Sequence, residues 1–220
     1  MARRVIDVAA ASIALLALAP LLGLVALAIV ATSGRPVLFR QQRPGLHGRN
    51  FRILKFRTMR PARYEGEPDP YRLDTLGRLL RRWSVDELPQ LWNVLRGDMS
   101  IIGPRPTLPE QVEQYGAWER RRLEVRPGIT GYAQVLGRNS LSWPERIELD
   151  IWYIDNRSLW LDLRILARTV VALFRREGIT GANGVNPGFP GPTPDAPDLD
   201  SASAGEQERQ GAPVRRRTTA

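Results

Sequence analysis

Between Val8 and Ala31 the chain runs for 24 residues without a charge, and nothing else in it limits the fold as strongly. At about 1.5 Å per residue such a helix reaches roughly 36 Å, enough to cross a bilayer's hydrocarbon core. A membrane-embedded segment is therefore expected ahead of a buried core helix. Three membrane forms fit. In a cleaved leader, Arg3 and Arg4 are the basic start and Ala17-Leu18-Ala19 the small-residue cleavage site. Against it, the apolar run continues far past Ala19, and Pro20 follows directly. The other two forms are a single spanning helix and a helix that enters the membrane and returns to the same side. Pro20 removes a backbone donor mid-run and bends or breaks the helix there. Arg3 and Arg4 precede the run, and Arg35, Arg40, Arg43, Arg49, Arg52 and Lys55 follow it. Basic flanks favour the cytoplasmic side. A re-entrant segment satisfies both flanks, whereas a spanning helix strands Arg3 and Arg4 outside; many spanning helices carry a proline, so the two forms stay balanced.

The charge narrows the partners. The 220 residues carry a net charge of +9, and residues 1–180 alone carry +10. A basic folded part points to nucleic acid, a phosphate-bearing substrate or an anionic leaflet. With no cysteine, disulfides, thiolate metal sites and a thiol nucleophile are excluded, and the lone His47 leaves no other residue for a Ser-His triad. Lys55 is the only lysine. The arginines suit phosphate through their two-pronged donor fork.

Pro36–Arg43 and Asn50–Arg57 read as two strands joined at Pro44-Gly45, a small hairpin whose cations face either solvent or phosphate. Arg60–Asp74, with Pro61, Pro68 and Pro70, reads as a loop, and Leu76–Arg82 as a short basic helix. Leu88, Leu91, Trp92 and Leu95 recur at helical spacing. Asp86 and Glu87 lie at the start of that helix, with Pro89 tolerated in its first turn. The plain reading of Ser84-x-x-Glu87 is a capping box, or Asp86 as the N-cap. The chemical reading uses the same place: a helix start stabilises a carboxylate and a bound phosphate, so Asp86 stays ionised for attack on phosphorus while Glu87 holds Mg²⁺. Arg78, Arg81 and Arg82 stand just upstream to offset substrate charge.

Arg105, between Pro104 and Pro106, is aimed by a rigid backbone, and either X-Pro bond there is open to a cis form. Arg126 heads Arg126-Pro127-Gly128-Ile129-Thr130-Gly131, and Arg138 follows Gly137. Helices are expected over Gln111–Glu124, Trp143–Tyr153 and Leu159–Arg176, the last amphipathic enough to lie in a membrane interface or to pack on the core. From Gly181 the composition turns to Pro, Gly, Ser and acids, so 181–220 reads as a disordered tail. No GxxxxGK[ST], HExxH or post-strand GxGxxG is present.

Taken in order, Lys55-Phe56-Arg57-Thr58-Met59, Arg81 through Gln90, Asn93 through Ser100, Gly103-Pro104-Arg105-Pro106 and Arg126 through Gly131 resemble the bacterial sugar transferase family. These are small monotopic phosphoglycosyl transferases, and the likeness covers about residues 3–180. It implies transfer of a sugar 1-phosphate from a UDP-sugar to polyprenyl (undecaprenyl) phosphate with release of UMP, initiating membrane-associated glycan synthesis. Asp86 matches the nucleophile that forms a phosphosugar–aspartyl intermediate, so two-step, ping-pong kinetics follow. Glu87 matches its Mg²⁺-associated partner. Arg81 matches a substrate-phosphate arginine, and Arg105 and Arg126 match motif arginines near the site. The resemblance favours the re-entrant form, broken near Pro20. The chain departs from the family where Ala19 replaces a frequent serine.

The expectation is thus an α+β, predominantly helical protein: a re-entrant membrane helix over 1–34, a catalytic domain over 35–180 with a small β-hairpin and interfacial amphipathic helices, and the tail. Asp86 and Glu87 are the candidate catalytic and Mg²⁺-binding residues; Arg81, Arg105, Arg126 and Arg138 are the candidates for substrate binding. The expected location is the cytoplasmic face of a bacterial inner membrane, among membrane lipid, with downstream glycosyltransferases as further partners and no nucleic acid. The alternative is a membrane-anchored basic module binding anionic lipid or nucleic acid without catalysis, in which Asp86 is only a cap and Asn would replace it, since Asn caps about as well.

Overall fold

A computed structural model describes residues 2–174 except 62, 65, 66, 68 and 138–140; the expected tail and Arg138 lie outside the described residues. The elements run α1 (Ala2–Ser33), β1 (Leu38–Pro44), β2 (Asn50–Phe56), α2 (Asp69–Arg72), α3 (Thr75–Arg82), α4 (Gln90–Arg96), β3 (Ser100–Ile102), α5 (Pro109–Val112), α6 (Ala117–Arg120), β4 (Gly128–Thr130), α7 (Tyr132–Leu136), α8 (Trp143–Asp155) and α9 (Leu159–Phe174). The protein is α+β and predominantly helical, with an apolar N-terminal helix and two-stranded sheets.

The expected break near Pro20 is absent: α1 is continuous from Ala2 to Ser33. Packing direction explains why. Asp7, Ala11, Leu18, Leu22, Val25 and Ile29 face the body. Pro20 is nine positions from both Ala11 and Ile29, about 900° or half a turn away, so its ring lies on the outward face. The donor it lacks would have served the outward carbonyl of Leu16, and the ring's crowding of that turn falls on the same outward side. Side chains on either side of Pro20 remain on one packed stripe.

Both ends of α1 are tied to that body. At the start, Arg4 donates to the carbonyls of Val94 (2.5 Å) and Leu95 (2.8 Å), and Arg3 pairs with Asp162 at 2.7 Å. Asp7 accepts from Ser100 Oγ and the Ile101 N–H, each at 3.1 Å. At the far end Ser33 Oγ donates to Asp74 at 2.6 Å. Arg57 donates to the carbonyls of Ser33, Gly34 (2.6 Å) and Arg35 (3.0 Å). The outward face is apolar and bare: Ile13, Leu16, Leu24 and Leu27 are each about two-thirds exposed or more.

The hairpin forms as expected, antiparallel with Leu38 opposite Phe56 and Pro44 opposite Asn50. Its 3-10 turn at Leu46–Gly48 needs Gly48 at φ +74°. Ile53 joins α1's Ala11 and α4's Leu91 and Val94 in one core cluster; Phe56 joins Val25, Ile29 and Leu80 in a second. A third, of Val125, Tyr153, Ile154 and Ile165, lies under α8 and α9. α9 turns Leu159, Leu163, Leu166 and Val170 outward, and α3 exposes Leu79.

The single helix expected over Gln111–Glu124 is instead α5, α6 and a 3-10 turn at Arg121–Glu124. Extended Gly116 breaks the run at its N-cap. The parallel pair β3–β4 has no counterpart in the sequence reading, because three-residue strands show no legible alternation. Within the loop after β3 the peptide bonds on both sides of Arg105 are trans; the cis bond among the described residues is Arg35–Pro36.

Asn93, fully buried in α4, ties this frame together. Its side chain accepts from the Leu54 N–H (3.0 Å) and donates to the Arg52 carbonyl (2.8 Å), fastening α4 to β2. Asn93→Ala orphans both groups at about 1–3 kcal/mol each. Thermal unfolding in detergent is therefore expected to show a midpoint several degrees lower, and an unchanged midpoint would refute this role.

Candidate active site

The expected capping box does not form. Trp83 ends α3, Ser84 takes a left-handed conformation (φ 54°) without a side-chain cap bond, and Val85–Glu87 make a 3-10 turn. Pro89, not Asp86, occupies the N-cap position of α4. A proline there has no side-chain donor or acceptor, and the left-handed Ser84 folds the chain back so that residues 85–87 sit between β2 and α3 rather than in the first turn of α4. Asp86 and Glu87 are thus released from capping, and adjacent residues of one tight turn can serve one site.

Glu87 is held from two sides. Lys55 Nζ, from β2, lies 2.8 Å from Oε1. Arg105 Nη2 lies 2.7 Å from the same oxygen, with Nη1 3.5 Å from Oε2. Burial alone would raise the pKa of this carboxyl, but the charges and hydrogen bonds of Arg105 and Lys55 outweigh it, and the Glu87 pKa stays well below the usual carboxylate range. Asp86 is only 8% exposed, and no hydrogen bond or ion pair among the described residues occupies its carboxylate. Burial, and then the charge of Glu87, push its pKa up; Lys55, Arg81 and Arg105 pull against that. Asp86 does not stand at the start of α4, so the helix-start effect expected to keep it ionised does not act there, and desolvation pushes its pKa up.

Arg81 leaves the end of α3 and donates through Nε to Thr58 Oγ1 at 2.9 Å, beside the same turn. Close packing sets this placement: a side chain on Gly77 would lie 2.0 Å from the Thr58 carbonyl. Three cations (Lys55, Arg81 and Arg105) therefore surround two carboxylates, leaving the cluster net cationic toward a phosphorylated ligand. The structure brings together Asp86, Glu87, Arg81 and Arg105, as expected. It does not bring Arg126 to them: Arg126 Nε donates to the Gly97 carbonyl at 2.8 Å, at the opposite end of α4. Lys55 stands outside the site residues expected from sequence, although the sequence marks it as the one lysine in a chain that otherwise uses arginine.

A model of the family described as bacterial sugar transferase matches residues 1–176. The chain belongs to the bacterial sugar transferase family. Among its relatives, the uncharacterised sugar transferase EpsL of Bacillus subtilis (strain 168) is 49% identical over 187 residues, covering 83% of this chain and 92% of that protein. The UDP-glucose:undecaprenyl-phosphate glucose-1-phosphate transferase of Caulobacter vibrioides is 47% identical, covering 80% of this chain and 70% of that protein. The undecaprenyl-phosphate galactose phosphotransferase of Salmonella typhimurium (strain LT2) is 39% identical over 68% of this chain and 36% of its own length. The match to the sugar transferase family includes the 85–87 turn and the residues gathered around it.

Because its pKa is raised, the Asp86 carboxyl is expected to titrate above the ordinary aspartate range, read by carbon-13 NMR of labelled protein in detergent. Glu87→Gln removes the neighbouring negative charge and frees Lys55 and Arg105, which lowers the Asp86 pKa, so its titration is expected to move to lower pH. A titration unmoved in Glu87→Gln would contradict the coupling.

Proposed function

We propose that this protein transfers a sugar 1-phosphate from a UDP-sugar to undecaprenyl phosphate, releasing UMP and starting assembly of a membrane-associated glycan such as an exopolysaccharide. The observation that carries the reading is the buried, uncommitted carboxylate of Asp86 beside a Glu87 already neutralised by Lys55 and Arg105. An oxygen of Asp86 attacks the phosphorus that bears the sugar. A P–O bond to the aspartate forms, the bond to the bridging diphosphate oxygen breaks, and its electron pair leaves with UMP. A phosphate oxygen of the lipid then attacks the same phosphorus, and the aspartyl P–O bond breaks to restore Asp86. Arg81, Lys55 and Arg105 offset the negative charge that both phosphorylated partners bring. Names of the relatives support this reading, since two of them describe undecaprenyl-phosphate transferases for glucose and galactose.

Among the described residues no group of three or more His, Asp or Glu side chains could hold a metal. A site of two carboxylates still fits Mg²⁺, which commonly takes one or two carboxylates and completes its shell with substrate phosphate and water oxygens. Asp86 and Glu87 would hold it, and the ion would supply further positive charge at the diphosphate.

Support for a membrane setting comes from α1, long and apolar enough to cross a bilayer yet tied at both ends to one body. A spanning α1 would carry β2, which packs along its middle, and with it Arg52 and Lys55 into hydrocarbon, and each charge at bilayer depth costs at least about 2.5–3.5 kcal/mol. Both ends of α1 therefore lie on one side, with its outer face and the bare row on α9 in the lipid. The basic flanks favour the cytoplasmic side for both ends, and on this reading downstream glycosyltransferases take up the lipid-linked product there.

Asp86→Asn is expected to lower UMP release by about a thousandfold or more. The wild-type protein, incubated with UDP-sugar and Mg²⁺ without acceptor, is expected to carry a phosphosugar on the peptide containing Asp86. Normal turnover in Asp86→Asn would refute the assignment.

A further inference from the structure

Behind Arg105 lies a cluster that makes no contact with Glu87. Arg122, 5% exposed, donates from Nε (3.0 Å) and Nη2 (2.7 Å) to one oxygen of Asp150, itself equally buried on α8. Its Nη1 donates to the Tyr115 hydroxyl, which lies 3.1 Å from Thr107 Oγ1. Its Nη2 also donates to the main-chain carbonyl of Arg105 at 3.1 Å. The chain on the near side of Arg105 is held as well: Gly103 N–H donates to Thr130 and Gly128 N–H to the Pro104 carbonyl, both at 2.9 Å. Beyond these anchors the Arg105 side chain, half exposed, reaches out to Glu87.

A buried ion pair is weak evidence for stability, because desolvating both charges offsets their attraction; its best-attested use is to fix an arrangement. Here the fixed element is the peptide from which Arg105 projects. We infer that Arg122, locked by Asp150 and Tyr115, is a positioning residue that sets Arg105 against Glu87 for the transfer reaction. The inference rests on the phosphotransfer reading above. A guanidinium displaced by an ångström loses its two-pronged contact with Glu87, leaving that carboxylate to Lys55 alone.

A double-mutant cycle on single-turnover UMP release, with full-length protein in detergent, saturating UDP-sugar and Mg²⁺, tests this. Tyr115→Phe removes one hydroxyl and keeps the ring. Asp150→Asn keeps the shape and removes the charge. Either change is expected to slow release by about 5- to 50-fold in the wild-type background and by less than about 2-fold in Arg105→Ala, where no guanidinium is left to misplace. Where Asp150→Asn does not fold, Tyr115→Phe alone decides. Equal factors in both backgrounds, no effect on the wild-type rate, or an Arg105→Ala rate equal to wild type would each overturn the inference. If Arg105→Ala turns over too slowly to measure, Arg105→Lys takes its place in the cycle, and the same outcomes decide. A wild-type protein that releases no UMP from any UDP-sugar would instead refute the phosphotransfer reading itself.

Discussion

One body grips an apolar helix at both of its ends, and the rest of the molecule is arranged by that grip. Arg3, Arg4 and Asp7 fasten the start of α1 to α4, β3 and α9, while Ser33 and the carbonyls after it are fastened by Asp74 and Arg57. A straight helix of 32 residues is about 48 Å long, so the body must lie along it rather than hang from one end. The same helix supplies one wall to two core clusters, and between those clusters the chain threads β2, Thr58, α3 and the 85–87 turn. The site therefore sits beside α1 because its own packing partners are that helix.

Electrostatics then set what the turn can do. Two adjacent carboxylates repel, and burial raises the penalty on their charge. The structure separates their fates: Glu87 is paired twice and firmly ionised, whereas Asp86 is left uncommitted with a raised pKa. Of two like groups, one becomes a fixed negative charge and the other a basic, available oxygen. That difference comes from the partners each can reach, since their sequence neighbourhood is shared.

Much of this was legible beforehand where the signal is local. The hairpin, α3, α8 and α9 follow from alternation and helical spacing, and the adjacent carboxylates Asp86 and Glu87 stand in quotable motifs with Arg81 and Arg105. What was not legible depends on partners distant in sequence. Asp86 read as a cap because the window after it is helical; only the left-handed Ser84 and Pro89 at the N-cap of α4 show the turn pulled free. Arg126 sits in a motif as rigid as that of Arg105, yet it serves the end of α4, and nothing in the two motifs separates these fates. Lys55 pairs with Glu87 across 32 positions, and Arg122 with Asp150 across 28. Pro20 predicts a break by its chemistry, but its effect depends on which face it occupies, and that face is defined by the body packed opposite.

The topology of α1 offers the most direct test. The natural sequence has no cysteine, so Ala2→Cys and Thr32→Cys each introduce a single label site, one at each end of the helix. Labelling with a membrane-impermeant maleimide in inverted and right-side-out vesicles is expected to modify both variants in inverted vesicles and neither in right-side-out ones. Modification of the two ends from opposite faces would mean that the helix spans the bilayer, and the arrangement described here would not stand.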